Sequence, residues 1–454
     1  MHFRQFYVGC LAHASYLIGD AGEAVVIDPS RDIEMYLEEA KAHGLRITWV
    51  LETHLHADFV SGHRDLAERT GAKIGIGADA DAKFPHVPLK DGDEIAVGGV
   101  KLRAIATPGH TPESFSFLVF EHASDAAPAA VLTGDTLFVG DVGRVDILSS
   151  RLPVVDLAGL MYDSLQKLMK LPDETKVYPA HGAGSLCGRS ISKDSWSTIG
   201  RERMTNAALR PMTREAFIAD VTRDVPETPV YYLHSRDLNR EGPKTTAERP
   251  LPPHLSPAAT AERIAAGAVL LDVRPTPAFA AAHPAGALHV PLDGQYASWV
   301  GTLIGPEQEI VLLAEPEREE EAVVRLARVG YERISGFMDR GVEGWHSIGG
   351  LVASVPMEPA AEALVPGRHV LDVRRKREWD TFHFPGATHI PLAELATRAI
   401  ELDPAAEWVV VCASGFRSAI ASSVLRRAGL TNVINGAGGM DAWRRAQVTG
   451  TVRS

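Results

Sequence analysis

Four short segments place histidine or aspartate directly after an apolar, strand-like run. They are Thr53-His54-Leu55-His56-Ala57-Asp58, Thr107-Pro108-Gly109-His110-Thr111, Thr133-Gly134-Asp135-Thr136 and Tyr178-Pro179-Ala180-His181-Gly182. Alternate residues of an extended segment point the same way, so His54, His56 and Asp58 can share one side. A lone buried histidine is usually a satisfied core residue; four such loops read instead as the ligands of a metal centre. A Gly-rich loop, 182–189, leaves His181 and carries Cys187 and Arg189. Cys187 either faces a substrate channel or is a buried packing thiol. A second kind of chemistry sits near the other end. Val409-Val410-Val411 leads into Cys412-Ala413-Ser414-Gly415-Phe416-Arg417-Ser418, and a helical pattern follows. A cysteine between strand and helix meets converging backbone N–H groups, which with the helix dipole favour a thiolate and bound anions. Arg417 adds a cationic fork for a sulfonate or thiosulfate-like group.

The elements that must position these residues fall into three parts. In the first, strand-like runs at 24–27, 47–52, 101–106 and 129–132 mix with helical patterns at 33–43, 63–69 and 157–171. That mixture predicts an α/β sandwich with its site at strand ends. The rest is a duplication. Leu271-Asp272-Val273-Arg274 recurs as Leu371-Asp372-Val373-Arg374, His289-Val290-Pro291-Leu292 as His389-Ile390-Pro391-Leu392, and Trp345 and Trp443 close the two copies. Short buried strands (269–273, 408–411) alternate with helices (417–428), which predicts α/β domains with parallel sheets. Proline clusters, one running from Pro243 to Pro257 and one at Pro356 and Pro359, read as linkers. The expected domains are 1–245, 255–352 and 360–454. In the middle copy Leu312 or Leu313 stands at the cysteine position, and the acidic loop 314–320 would repel thiosulfate. That domain is read as catalytically inactive.

Composition bounds the rest. The chain has 454 residues, 45% of them hydrophobic and 23% charged, enough for several cores. A net charge of -12 argues against nucleic acid or an anionic membrane as partner. Cys10, Cys187 and Cys412 are far apart and odd in number, so a cytoplasmic protein without a disulfide framework is expected. Cys10 is expected in the core. His13 and Asp20 interrupt the first apolar stretch, which does not read as a signal peptide, and no run reaches the ~18 residues of a membrane span. Homo-oligomerisation is left open.

The motif order resembles the metallo-β-lactamase superfamily, in its glyoxalase II-like branch, over about residues 1–240, which implies an αββα sandwich. That family's first motif normally ends in a histidine for a second metal; here Phe59 stands there. Persulfide dioxygenases within the family imply one Fe2+ per chain on His54, His110 and Asp135. His56, Asp58 and His181 would then be outer or water-binding groups, with Asp58 in a catalytic role. Gly143-Arg144-Val145-Asp146 also looks like that branch; Arg144 and Arg189 are expected at the substrate. Residues 255–352 and 360–454 resemble rhodanese, which implies sulfur carried on Cys412, with Arg417, Gly415 and Ser418 around it. Two histidines and one carboxylate leave open positions on non-haem iron, whereas zinc would restrict the site to hydrolysis. The resemblance thus implies oxidation of a small thiol persulfide (glutathione, coenzyme A or similar) by O2 to sulfite and thiol. Transfer among thiosulfate, persulfide and sulfite would be coupled to it at Cys412. Two alternatives stand beside it. One is a glyoxalase II-type thioester hydrolase with a fused sulfurtransferase, against which Phe59 counts. The other is a non-catalytic sulfur-relay protein with a structural metal.

Overall fold

The structure is a computed structural model and describes residues 1–148, 152–223 and 228–448. It divides into two units, the first holding Met1–Pro250 with Ala327–Gly330, the second the remainder.

The first unit contains two six-stranded sheets. One runs in chain order: His2–Val8, His13–Asp20, Glu23–Ile27, Arg46–Leu51, Lys73–Gly77, Val87–Leu89. The other runs Ser197–Thr198, Lys176–Pro179, Ala130–Gly134, Phe115–Phe120, Val100–Ala106, Glu94–Val97. Strand alternation builds the core between them. Phe115, Phe117 and Val119 join Ala130, Leu132, Tyr16 and Ile18 in one cluster, while Leu118, Phe120 and Val131 face the other way. That outer face meets Leu157, Met161, Leu165 and Leu168, the apolar stripe of helix Val154–Leu168. Helix Glu34–Ala42 covers the first sheet through Tyr36 and Ala40. The result is the expected αββα sandwich.

The second unit contains two five-stranded parallel sheets of matching order. They are His254–Leu255, Ile334–Met338, Ile310–Leu313, Val269–Asp272, Leu288–His289 and then Met357–Pro359, Val433–Ala437, Trp408–Val411, His369–Asp372, Thr388–His389. The repeated Asp-Val-Arg motif does the same work twice: Arg274 and Arg374 each bond Asp272 or Asp372 from two residues away.

Three sequence expectations need correction. The proline-rich linkers are partly built into sheets, since His254–Leu255 and Met357–Pro359 are edge strands. Proline is tolerated there because an edge needs fewer ladder donors. Cys10 lies half-buried in the turn after strand His2–Val8, outside the core. In the middle domain Asp272 pairs with Leu313 as Asp372 pairs with Val411. Ala314, not Leu312 or Leu313, therefore takes the cysteine position; the middle copy has two more residues between its histidine and that strand end (289 to 313 against 389 to 411). Among the described residues no helix is long and apolar enough to cross a membrane.

Candidate metal centre and sulfur-transfer loop

Strand Arg46–Leu51 delivers His54, His56 and Asp58 into a buried pocket, where they are 1%, 0% and 4% exposed. Asp135 follows strand Ala130–Gly134. Gly134 has φ +52°, and a Cβ there would come within 2.7 Å of Thr53 Oγ1, so only glycine allows this approach. His110 and His181 come from the loops after Val100–Ala106 and Lys176–Pro179. His110 Nε2 lies 3.3 Å from Asp135 Oδ2, His181 Nε2 3.6 Å from Asp135 Oδ1, and His181 Nε2 3.3 Å from Asp58 Oδ2. One donor atom each from His54, His110 and Asp135 lie within 4.8 Å of one another, and the same holds for His56, Asp58 and His181.

The first of these sets fits a metal ion. His54 Nε2 and both Asp135 oxygens are buried without a hydrogen-bond partner. A buried carboxylate lacking donors is costly unless a cation meets it. The imidazoles are also held in the right tautomer. His110 Nδ1–H donates to the Arg144 carbonyl at 2.7 Å, which leaves Nε2 as the free donor atom. Thr53 Oγ1 donates to Asp28 Oδ2 at 2.8 Å and sits 2.9 Å from His54 Nδ1, so it accepts that N–H and frees His54 Nε2. Burial and the neighbouring His56 and His110 push His54 well below the ordinary imidazole pKa, keeping it a neutral ligand.

His56 differs. Its Nε2 stands 3.1 Å from Asp28 Oδ1 and 3.5 Å from Glu52 Oε2. Burial opposes its protonation, but Asp28, Glu52 and Asp58 outweigh burial and raise it to about 9. Phe59 is 1% exposed and packs 4.4 Å from His56 and 4.0 Å from His13. His13 is fully buried with neither ring nitrogen hydrogen-bonded. In the sequence His13 stands only as an interruption of the first apolar stretch, and Asp28 and Glu52, the carboxylates beside His56, are not singled out.

The Gly-rich loop folds Cys187 back into the pocket. The thiol is 1% exposed and lies within 4.8 Å of donor atoms of Asp135 and His181. Burial, then the Asp58 and Asp135 carboxylates, push its pKa up. The two arginines expected at the substrate are engaged by protein groups. Arg144 bonds Asp146 through both arms at 2.7 and 2.6 Å and also Thr228 Oγ1. Arg189 bonds the Asp220 carbonyl and carboxylate.

Cys412 ends strand Trp408–Val411 and is 1% exposed. Gly415 adopts φ +102° and its N–H donates to Cys412 Sγ at 3.1 Å. Ser418 Oγ is 3.7 Å from Sγ and donates to Asn435 Oδ1 at 2.7 Å. Arg417 is held bidentately by Glu378 at 2.7 Å on each arm. Glu378, 39 residues away in sequence, was not foreseen.

Comparison with known proteins agrees with this architecture. Residues 8–181 match the metallo-beta-lactamase superfamily, and residues 256–348 and 359–446 each match the rhodanese-like domain. A probable metallo-hydrolase of Burkholderia pseudomallei is 34% identical over 255 residues, covering 47% of this chain and 84% of that protein. A hydroxyacylglutathione hydrolase of Francisella tularensis subsp. novicida is 34% identical over 179 residues, covering 39% of this chain and 66% of that protein. Among solved structures, a metallo-beta-lactamase from Staphylococcus aureus is similar over 74% of this chain and 98% of its own, at 34% identity and a TM-score of 0.67.

Proposed function

The chain belongs to the metallo-β-lactamase superfamily and continues into two rhodanese-like domains; we propose that it is an iron-dependent persulfide dioxygenase joined to a sulfurtransferase. The overall change is RSSH + O2 + H2O → RSH + SO3²⁻ + 2H⁺, with RSH a carrier such as glutathione or coenzyme A in the cytoplasm. The observation that carries the reading is the donor set of His54, His110 and Asp135, with orphaned buried atoms turned toward one point and Phe59 where a further imidazole would be needed. Bound Fe2+ would supply the redox chemistry toward O2 that zinc lacks, at the positions which two imidazoles and one carboxylate leave open.

The protein groups around that point have separable roles. Thr53 and the Arg144 carbonyl engage Nδ1 of His54 and of His110 and leave each Nε2 free to bind a metal ion. Asp58 and His181, 3.3 Å apart, hold the water needed for hydrolysis and take its proton. Cys187 lines the same pocket and orients the persulfide. At the other centre the Gly415 N–H steadies the Cys412 sulfur, and sulfite accepts sulfur from its persulfide: Cys-SS⁻ + SO3²⁻ → Cys-S⁻ + S2O3²⁻. One chain carries both centres, so the sulfite made at one is a substrate for the other on the same molecule.

A thioester hydrolase of the glyoxalase II kind is the second reading, favoured by the likeness to a hydroxyacylglutathione hydrolase. Metal content, oxygen, sulfite and thiosulfate measured on protein made in iron-supplemented medium separate the two. With a low-molecular-weight persulfide and O2 as the only inputs, wild type should yield sulfite and some thiosulfate. Cys412→Ser should lose the thiosulfate and keep oxygen uptake. His54→Ala should lose oxygen uptake and keep thiosulfate–thiol transfer. Two tightly bound zinc ions in active protein would overturn the iron reading.

A further inference from the structure

The segment between strand Arg46–Leu51 and helix His63–Thr70 is irregular, yet every residue from Glu52 to Gly62 is buried. A buried segment without ladder or helix bonds must find other partners for its backbone N–H and C=O groups. Its two ends find them nearby. The Thr53 N–H donates to Asp28 Oδ1 at 2.7 Å, and the Gly62 N–H to the Pro29 carbonyl at 2.9 Å. The stretch that carries Asp58 and Phe59 is held from far along the chain. The Val60 N–H donates to the Arg328 carbonyl, within the same unit. Three more groups go to one side chain. Asn239 Nδ2 donates to the His56 carbonyl and to the Phe59 carbonyl, each at 2.8 Å, and its Oδ1 accepts the Ser61 N–H at 2.8 Å. Both amide hydrogens and the amide oxygen are thus used, which also fixes which way the amide points. Asn239 is 1% exposed and lies on helix Tyr231–Glu241, where Tyr232, Arg236 and Asn239 share one buried face.

We propose that Asn239 is a positioning residue for the reaction at the metal centre: by clamping residues 56–61 it fixes where the Asp58 carboxylate stands against His181. The inference rests on the water-holding role given to Asp58 and His181 above. Asp58 Oδ2 is 3.3 Å from His181 Nε2, and Oδ1 has no hydrogen-bond partner. The carboxylate therefore takes its position from the backbone beneath it. Asn239 bonds that backbone on both sides, two residues before Asp58 and one after it. The expected iron ligands are anchored elsewhere. His54 is held through Thr53 to Asp28, and His110 and Asp135 come from other strands. Loss of Asn239 thus spares the ligand set and releases its neighbour. A shift on the order of 1 Å in such a group can slow a reaction by about a hundredfold.

The test uses the full chain and steady-state oxygen uptake with glutathione persulfide. Asn239→Ala removes the clamp and leaves its three backbone partners buried and unpaired. Asn239→Asp keeps the shape and the acceptor and loses both donors. Each should lower kcat by about tenfold or more, with KM within about twofold of wild type. Iron content should equal that of wild type. Asp58→Asn should lower kcat as well. In that background Asn239→Ala should cost less than about twofold more, because the group through which it acts is gone. A residue that only holds the fold would multiply its loss onto that of Asp58→Asn and would lose iron along with activity. Multiplied losses, lost iron, a raised KM at unchanged kcat, or wild-type kcat in both Asn239 variants would each overturn the proposal. Asp58→Asn at the wild-type rate would overturn the role of Asp58, and the proposal with it. A wild type that takes up no oxygen with the persulfide would overturn the dioxygenase reading on which both stand.

Discussion

The Phe59 ring lies 4.0 Å from the imidazole of His13, in the wall of the metal pocket beside His56. An apolar ring thus stands beside the second donor group, His56, Asp58 and His181, where the family's first motif normally has a histidine. Phe59→His should raise metal content from one toward two equivalents per chain, read by elemental mass spectrometry after zinc supplementation. A content that stays at one would show that Phe59 is not what limits the site.

Cys187 shares its pocket with Asp135 and His181 and is almost fully buried. Serine keeps its volume and removes the sulfur. Cys187→Ser should lower kcat/KM for persulfide oxidation by about tenfold, the equivalent of ~1.4 kcal/mol, while iron content is unchanged. Unchanged kinetics across several carrier thiols would assign Cys187 to packing.

The middle domain should be acid-sensitive through His289. Burial, with smaller help from Arg274 and His283, depresses its pKa from 6.5 to about 3 despite its bond to the Asp272 carbonyl. In the unfolded chain the same imidazole takes a proton near 6.5. Below that pH the unfolded state binds the extra proton, so stability present above 6.5 is lost as pH falls toward 3. The loss has a limiting slope of about 1.4 kcal/mol per pH unit. Thermal or urea unfolding of the second unit's transition between pH 7 and pH 4.5 should show this slope, and His289→Asn should flatten it. Equal slopes in both proteins would mean that other groups set the acid limit.

Much of the site was legible because its parts are local. His54, His56 and Asp58 lie within five residues in the bent loop that follows strand Arg46–Leu51, and all three are buried there, His54 in one donor group and His56 with Asp58 in the other. The Cys412 loop is four residues, 412–415, between strand Trp408–Val411 and helix Phe416–Arg427, and its Gly415 N–H reaches Sγ. The α/β sandwich of the first part and the duplicated parallel domains followed from hydrophobic period and repetition, while the αββα order came with the family resemblance. The register of the middle domain did not. A repeat offset of 100 residues held for the histidine motif, but two extra residues before strand Ile310–Leu313 moved the cysteine-equivalent position to Ala314.

The sequence by itself therefore determined which residue types could bind metal or carry sulfur, and in which loops they sit, because strand, turn and helix signals act over a few residues. Only the tertiary structure decided their partners. It set His110 against Asp135, Asp28 behind both Thr53 and His56, Glu378 on Arg417, and Asp146 and Asp220 on the arginines expected at the substrate. It also buried His13 beside Phe59 and brought Asn239 to the His56 and Phe59 carbonyls. Each of these pairings except Arg144–Asp146 closes a loop of tens of residues or more. Whether such a loop closes on one partner or another is settled by the packing of whole sheets and helices, which no local pattern encodes.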